Sequence, residues 1–294
     1  MLLVAITRFK IHPFLALVVC SLVYGPLAGL SGPDSANAFL SGFADTMKWI
    51  GVVIVLGALI GELLNETGGT LTIAHSILAA VGSKRLPLAM GMTGYVVSIP
   101  AFVDVAYIML KPIVEVLAVK GRRPVLVVGL SLSAGLTASH ALLPPTPGPL
   151  ASAGILEADI GRVIVVNLVV AAFAVTGGLL WSTFDCRRVD LPYDRKLIKQ
   201  LNQTTSVGPA EDKPSGSFVA ALLPILIPLA LIACSAFLKH DLDTGVWSVL
   251  RFLGTPVVAL LLCMLAGVLL LRRGERLSKL NQLVEREIQR SAVV

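Results

Sequence analysis

The stretch SHALLPPTPGP, residues 139–149, places a histidine and four prolines inside an otherwise apolar segment. Each proline removes a backbone donor and clashes with the preceding helical turn, so an α-helix cannot continue through residues 144–149. In a membrane, non-helical backbone survives only where it is buried in protein or lines a cavity. The ends of the two half-helices carry partial charges that suit an ion or a carboxylate. The stretch therefore predicts a proline-broken helix with a binding site at the break.

The composition of the whole chain indicates that this break lies in a membrane. Of its 294 residues, 55% are hydrophobic and 14% are charged, and the mean hydropathy is +0.85. A soluble domain carries about 25% charged residues, so we expect lipid as the solvent and an all-α integral membrane protein as the fold. The four cysteines form no CxxC pair. We therefore expect no disulfide, no metal and no cofactor.

The distribution of basic residues predicts the topology. Apolar segments long enough, or nearly long enough, to cross a bilayer cover residues 11–30, 49–64, 86–99, 101–119, 124–156, 160–184, 218–238 and 255–271. If the gaps alternate between the two sides, 19 of the 24 Lys and Arg fall on one side and four on the other, and Lys111 lies within a segment. Because cytoplasmic loops are rich in basic residues, this pattern predicts about eight crossings with both termini in the cytoplasm.

Composition also divides the chain into four parts. Residues 1–184 are predicted to form an N-terminal membrane repeat that contains the broken helix, and residues 217–272 to form two further membrane helices. Between them, residues 185–216 mix five acidic with six basic residues, which is typical of a cytoplasmic linker loop and not of a nucleic-acid site. Residues 273–294 have the pattern of an amphipathic cytoplasmic tail. A short surface helix is expected over residues 66–82.

One predicted helix carries three charges on a single face. At 100° per residue, Lys111 and Glu115 lie within about 20° of Asp104, and such charges are costly against lipid. We therefore expect this face to point into protein or into a wet cavity. The i,i+4 spacing of Lys111 and Glu115 predicts a structural charge pair. No basic residue lies within one turn of Asp104, which favours a functional role for it, and Pro100 and Pro112 are expected to kink or break the helix.

The residues before the prolines form a polar face. Ser133, Thr137 and His140 recur at i, i+4 and i+7. His140 lies roughly 25 Å from the cytoplasmic end of its helix, against roughly 24 Å for Asp104. Gly148 leaves room for the close approach of a ligand or another helix. The residues predicted to bind substrate are therefore Thr137, Ser139, His140, Pro144, Pro145, Thr146 and Gly148.

Several stretches of the chain resemble one known family. Residues 129–164, 8–19, 50–70 and 98–113 are similar to the gluconate permease (GntP) family of the ion transporter superfamily. The His-x-x-x-Pro-Pro-x-Pro-Gly-Pro pattern is the most specific of these likenesses, and together they cover most of the chain.

The resemblance implies a multi-pass protein of the bacterial inner membrane. Such a protein would import gluconate, or a related sugar acid or hydroxy-carboxylate, together with a proton. By resemblance, His140 and residues 144–149 would line the substrate path, and Asp104 and His140 would take part in proton coupling.

Departures from the family pattern keep alternatives open. Family members are longer, and their later part supplies a second broken helix, whereas no second His-and-Pro motif follows Pro149. The resemblance thus implies the first half of an inverted-repeat transporter, with a carboxylate, a proton, the lipid bilayer and a second copy or a complementing C-terminal half as partners. The alternative is a truncated, non-transporting or accessory half of such a permease. Lys111 stands where the family pattern leads us to expect an apolar residue.

A membrane-embedded hydrolase is a further alternative. Ser139, His140 and Asp104 are the residue types of a catalytic triad. The sequence contains neither a nucleophile elbow nor an HExxH motif, the signatures that would support hydrolysis. We therefore expect a transporter and not an enzyme.

Overall fold

The computed structural model describes residues 1–186, 189, 217–237, 245–268 and 280–286. Within these residues every extended regular element is a helix, which confirms the predicted all-α fold. Residues 280–286 are also helical, and a short 3₁₀ turn covers Ser83–Arg85. The other helices are α1 (Leu2–Thr7), α2 (Pro13–Leu27), α3 (Gly32–Glu66), α4 (Gly69–Val81), α5 (Leu86–Val97), α6 (Val103–Lys120), α7 (Val125–Leu142), α8 (Pro147–Ile155), α9 (Ile160–Phe184), α10 (Phe218–Phe237), α11 (Val246–Gly254) and α12 (Pro256–Val268).

The first of two compact units comprises residues 1–51. It contains α1, α2 and the beginning of α3. The backbone N–H of Asp34 donates to Ser31 Oγ over 3.2 Å at the start of α3, the arrangement by which a serine caps a helix. The start of α3 at Gly32 corrects the sequence prediction, which left residues 31–48 as a connection. The prediction relied on continuous apolar runs, and this stretch mixes apolar with polar residues around its cap.

The core of the second unit, residues 52–294, lies where α5 packs against α7. Leu86 and Met90 of α5 and Leu132 of α7 are fully buried there. A β-carbon at Gly135 would lie 2.7 Å from the backbone nitrogen of Tyr95, so glycine is what allows α7 to approach α5 this closely. Helices α4, α6, α9 and α10 surround this pair.

The short helix predicted over residues 66–82 is present as α4. Its Thr70, Ile73 and Ala74 are almost completely buried, and the helix packs against α5 and α10. One face of α4 therefore belongs to the core, which corrects the expectation of a surface helix. The prediction missed this because a short amphipathic pattern looks the same whether its apolar face meets lipid or protein.

Three of the described helical stretches are long and apolar enough to cross a membrane, or up to five if each bent helix pair counts as one span. The three are Val125–Ile155, Ile160–Phe184 and Phe218–Ser235, and the pair α11 and α12 bends by 78°. Helix α5 has 12 residues and is therefore roughly 18 Å long, short of the ~30 Å hydrocarbon core. The eight crossings stay a prediction. Pro112 lies inside α6 without ending it.

The predictions for residues 185–294 can be compared with the structure only in part, because the structure describes only some of these residues. Residues 190–216, most of the predicted linker loop, lie outside them, and the four-part division stays a prediction. In the described part of the tail, Leu283 is buried. The guanidinium Nη1 of Arg286 lies 3.0 Å from Glu62 Oε1 on α3. This salt bridge joins residues 280–286 to that helix.

Candidate functional site

The proline-broken helix is present, and its break forms one wall of the candidate site. Helix α7 ends at Leu142 and α8 begins at Pro147. Leu143 adopts an extended backbone, and the hydroxyl of Thr146 donates to its carbonyl over 2.6 Å. Thr146 is thereby fixed as the N-cap of α8, with Pro147 at the first helical position, where a missing N–H costs nothing.

A second interruption lies between α5 and α6. Helix α5 ends at Val97, and α6 begins after its N-cap Phe102. The hydroxyl of Ser98 donates to the carbonyl of Ala101 over 3.2 Å and closes the turn that contains Pro100. The prediction that Pro100 would interrupt the chain here is therefore confirmed, and the N-termini of two helices, α6 and α8, are brought to the site.

Both interruptions pack against one face of the second half of α3. A β-carbon at Gly57 would lie 3.1 Å from Cγ of Pro145, and one at Gly61 would lie 2.8 Å from Cα of Ala101. The three segments meet at a cavity of about 10 Å³, which is room for about one water molecule. Its lining consists of Ile54, Gly57, Ala58, Ile99, Pro100, Ala101, Phe102, His140, Pro145, Thr146 and Pro147.

His140 is the ionisable side chain of this lining. Its ring lies against that of Phe102, with 5.6 Å between ring centroids and planes inclined by 56°. Its Nδ1 is buried and, within the described part of the chain, has no hydrogen-bond partner. A buried polar atom without a partner is destabilising, by about 1–3 kcal/mol. The imidazole is therefore available to a ligand that enters the cavity.

The predicted charged face of α6 adjoins this site at one end. Asp104 lies in the first turn of α6, and its carboxylate is close enough to act electrostatically on His140. Lys111 Nζ lies 3.9 Å from Glu115 Oε1, one turn apart, and its side chain is 58% exposed. The roles assigned to these three residues, and the prediction that their face points into protein or a wet cavity, stay predictions.

The other predicted substrate residues lie around the cavity and not in its lining. Ser139 is buried, and its hydroxyl donates to the carbonyl of Tyr95 on α5 over 2.6 Å. Thr137 and Gly148 are exposed, and a β-carbon at Gly148 would meet no atom within 4 Å. Pro144 is buried, and the peptide bond that joins it to Pro145 is cis. Of the predicted set, His140, Pro145 and Thr146 face the cavity together.

Sequence reasoning missed two side-chain hydrogen bonds that involve α9, one of which holds the broken end of α7. The amide Nδ2 of Asn167 on α9 donates to the carbonyl of Leu142 over 2.7 Å. The hydroxyl of Tyr95 donates to the carbonyl of Leu168 over 2.8 Å. The signal was a lone polar residue at 167 within the apolar run VIVVNLVV, residues 163–170, since polar residues are rare in membrane helices unless they have a specific partner.

These features define a class of membrane protein. Apolar helices, and two interruptions whose helix N-cap residues line one cavity, are features that recur in secondary transporters. The chain belongs to the GntP family: the family described as "GntP family permease" matches residues 1–294. This confirms the family resemblance and a multi-pass membrane protein. The family consists of permeases and not of enzymes.

Similar curated proteins are bacterial permeases. An uncharacterized permease of Haemophilus influenzae is 33% identical over 273 residues, which cover 90% of this chain and 56% of that protein. A gluconate permease of Pseudomonas aeruginosa is 31% identical over 300 residues, 100% of this chain and 65% of that protein. A high-affinity gluconate transporter of Escherichia coli is 30% identical over 277 residues, 92% and 59% respectively. The chain thus spans 56% to 65% of the length of these relatives. No solved structure matches the chain.

Proposed function

We propose that this chain imports gluconate or a related sugar acid across the bacterial inner membrane together with a proton, through the cavity between the two interruptions. The observation that carries the proposal concerns His140, whose side chain lines that cavity and whose buried Nδ1 has no hydrogen-bond partner among the residues that the structure describes. The names of the relatives, a gluconate permease and a gluconate transporter, support the substrate class. The excess of basic residues on one side supports cytoplasmic termini.

The helix N-termini at the cavity supply the carboxylate site. The first N–H groups of α6 have no partner within the helix, and the helix dipole gives that end a partial positive charge. In the first turn of α8, Pro147 and Pro149 have no N–H, so Gly148 is the donor of that turn. Together with the imidazole of His140, these groups offer hydrogen bonds and positive potential to one carboxylate.

The C-terminal end of α7 supplies acceptors for hydroxyl groups. In a continued helix the carbonyls of His140 and Ala141 would accept from the residues four positions on, which are Pro144 and Pro145. Because proline has no N–H, these carbonyls remain for other donors, and the hydroxyls of a sugar acid are such donors. The site therefore combines a positive end for the carboxylate with acceptors for the polyol, which favours a hydroxylated acid over an apolar one.

Asp104 couples the proton to the substrate. Its carboxylate lies in the first turn of α6, where it neutralises part of the positive charge of the helix end and repels a second carboxylate. Protonation of Asp104 removes this repulsion, so proton and substrate bind together. The negative charge of Asp104 also acts on His140, and histidine is the residue type that changes its charge near physiological pH. Loss of the proton on the cytoplasmic side then expels the substrate.

The cavity has to open during transport. Its volume of about 10 Å³ is far below the roughly 300–1,000 Å³ of small-molecule sites. The contacts of Gly57 and Gly61 with the two interruptions hold the walls together in this closed arrangement. Separation of α3 from one interruption at a time is the movement that alternating access requires.

The test is uptake of radiolabelled gluconate by cells that lack their own gluconate permeases and express this chain. We expect saturable uptake that a proton uncoupler abolishes and that His140→Ala reduces to background. His75→Ala is the matched control, because His75 is an exposed histidine on α4 and should leave uptake unchanged.

The outcomes separate the parts of the proposal. Uptake that persists in His140→Ala would refute the site, and uptake that persists with the uncoupler would refute proton coupling. Lack of uptake by a chain shown to be inserted in the membrane would refute transport by this chain on its own and favour an accessory role.

A further inference from the structure

Asn167 is a polar residue in the apolar middle of α9. Its neighbours from 163 to 170 are all Val, Ile or Leu, and an amide at such a position is costly unless it has a hydrogen-bond partner. The amide is half-buried, and its partner is the carbonyl of Leu142, 2.7 Å from Nδ2. The partner belongs to another helix and lies 25 residues earlier in the chain, so the contact is a tertiary one.

Leu142 is the last residue of α7, and its carbonyl has lost its helical donor. In a continued helix the N–H of Thr146 would donate to it, but that N–H donates to Leu143 over 3.3 Å instead. In a membrane no bulk water replaces the lost donor. The side chain of Asn167 therefore completes the end that the prolines leave open.

A second tie joins the same end of α7 to α9. The hydroxyl of Ser139 donates to the carbonyl of Tyr95, and the hydroxyl of Tyr95 donates to the carbonyl of Leu168. His140 thus lies between two anchored residues, Ser139 before it and Leu142 after it. Both hydrogen-bonded links end at adjacent residues of α9, 167 and 168. Helix α9 therefore holds the last turn of α7 in its rotation and at its end.

We propose that Asn167 is a positioning residue: it holds the broken end of α7, and through it His140, in the geometry that the cavity needs. The expected effect of Asn167 on transport rests on the proposed function, whereas its role in holding the end of α7 does not. Asn167 does not line the cavity, and its Nδ2 donates to Leu142, which does not line it either. It acts through Leu142 and does not touch the substrate.

The first experiment measures the closure of the cavity without any transport. Ala58, a buried residue of the cavity wall on α3, is changed to cysteine in a chain whose four native cysteines are replaced, and its reaction with a membrane-permeant maleimide is timed. We expect Asn167→Leu to raise the reaction rate about tenfold, the effect of about 1.4 kcal/mol on an opening equilibrium. A buried acceptor that loses its donor costs about that much.

Matched variants exclude a general loosening of α9. Thr176→Val removes the hydroxyl of an exposed α9 residue that donates to its own helix at Ala172, and we expect no change of rate. Asn167→Gln keeps a donor and should restore most of the protection. If Asn167→Leu fails to insert, Asn167→Ser replaces it, because a serine hydroxyl is too short to reach Leu142. Equal rates in the Asn167 and Thr176 variants would overturn the proposal.

The second experiment asks whether positioning matters for uptake. We expect Asn167→Leu to raise the KM for gluconate about tenfold with a smaller change in the maximal rate, whereas Thr176→Val keeps both. An unchanged KM would overturn the link to His140. If the parent chain takes up no gluconate, the proposed function fails, while the maleimide rates still decide whether Asn167 holds the break.

Discussion

The substitution Gly61→Ala, which adds a single methyl group, tests the packing of the site most directly. A β-carbon there would lie 2.5 Å from the carbonyl oxygen of Pro100 and 2.8 Å from Cα of Ala101. Both are backbone atoms, so no side-chain rotation relieves the contact, and the interruption between α5 and α6 must move. Gly42 on the same helix is the matched control, because a β-carbon there would meet no atom within 4 Å.

The expected magnitude follows from two opposing effects. Alanine in place of glycine within a helix stabilises it by up to about 1 kcal/mol, and this applies to both positions. Overpacking at a site that cannot rearrange costs about 1–3 kcal/mol, and this applies to Gly61 alone. Gly61→Ala should therefore be about 1–3 kcal/mol less stable than Gly42→Ala, and its gluconate uptake should fall because the closed cavity is disturbed.

The measurement is thermal unfolding of both variants in the same detergent. At about 2–4 °C per kcal/mol, Gly61→Ala should melt about 2–12 °C below Gly42→Ala. An equal or higher melting temperature for Gly61→Ala would refute the reasoning, because it would mean that α3 and the interruption separate at no cost.

Two further predictions concern the side chains of Asp104 and Tyr95. Asp104→Asn fixes the neutral form of this residue, so we expect exchange of internal for external gluconate to persist while uphill accumulation and its sensitivity to an uncoupler disappear; accumulation at the parent level would contradict proton coupling through Asp104. Tyr95→Phe removes the hydrogen bond to the carbonyl of Leu168 and should lower the free energy of unfolding by about 0.6–1.7 kcal/mol, measured against Tyr24→Phe at an exposed position. A loss no larger than that of the control would contradict a stabilising role of this bond.

The break that the prolines impose, found at residues 143–146, was predictable because its cause is local. Proline chemistry forbids the helix whatever the rest of the chain does, and the position of His140 one turn before the prolines follows from the chain itself. The apolar composition likewise predicts helices, since an isolated segment in lipid must satisfy its own backbone. These parts of the fold needed no knowledge of which helices touch.

The parts that were missed depend on the rotation of one helix against another. The role of Ser139 in binding substrate stays a prediction, but the sequence did not show that its hydroxyl donates to the carbonyl of Tyr95, where α7 approaches α5 closely at Gly135. Asn167 meets Leu142 through tertiary packing. Periodicity identifies a helical face, but it does not identify the neighbour of that face, and a polar atom finds its partner only after the helices have packed.

The second half of α3 links the two interruptions mechanically. Gly57 contacts Pro145, and Gly61 contacts the turn at Pro100 and Ala101; the two glycines are four residues apart and so lie on one face of a helix, separated by about 6 Å along its axis. Because this turn of α3 is rigid, a movement away from one interruption also changes its contact with the other. In the proposed transport cycle, a tilt about this turn opens the cavity on one side while it tightens the contact on the other. Under the proposed function, this rotation of α3 exposes His140 to either side in turn, and the lack of side chains at both contacts permits it to end in a closed, well-packed state.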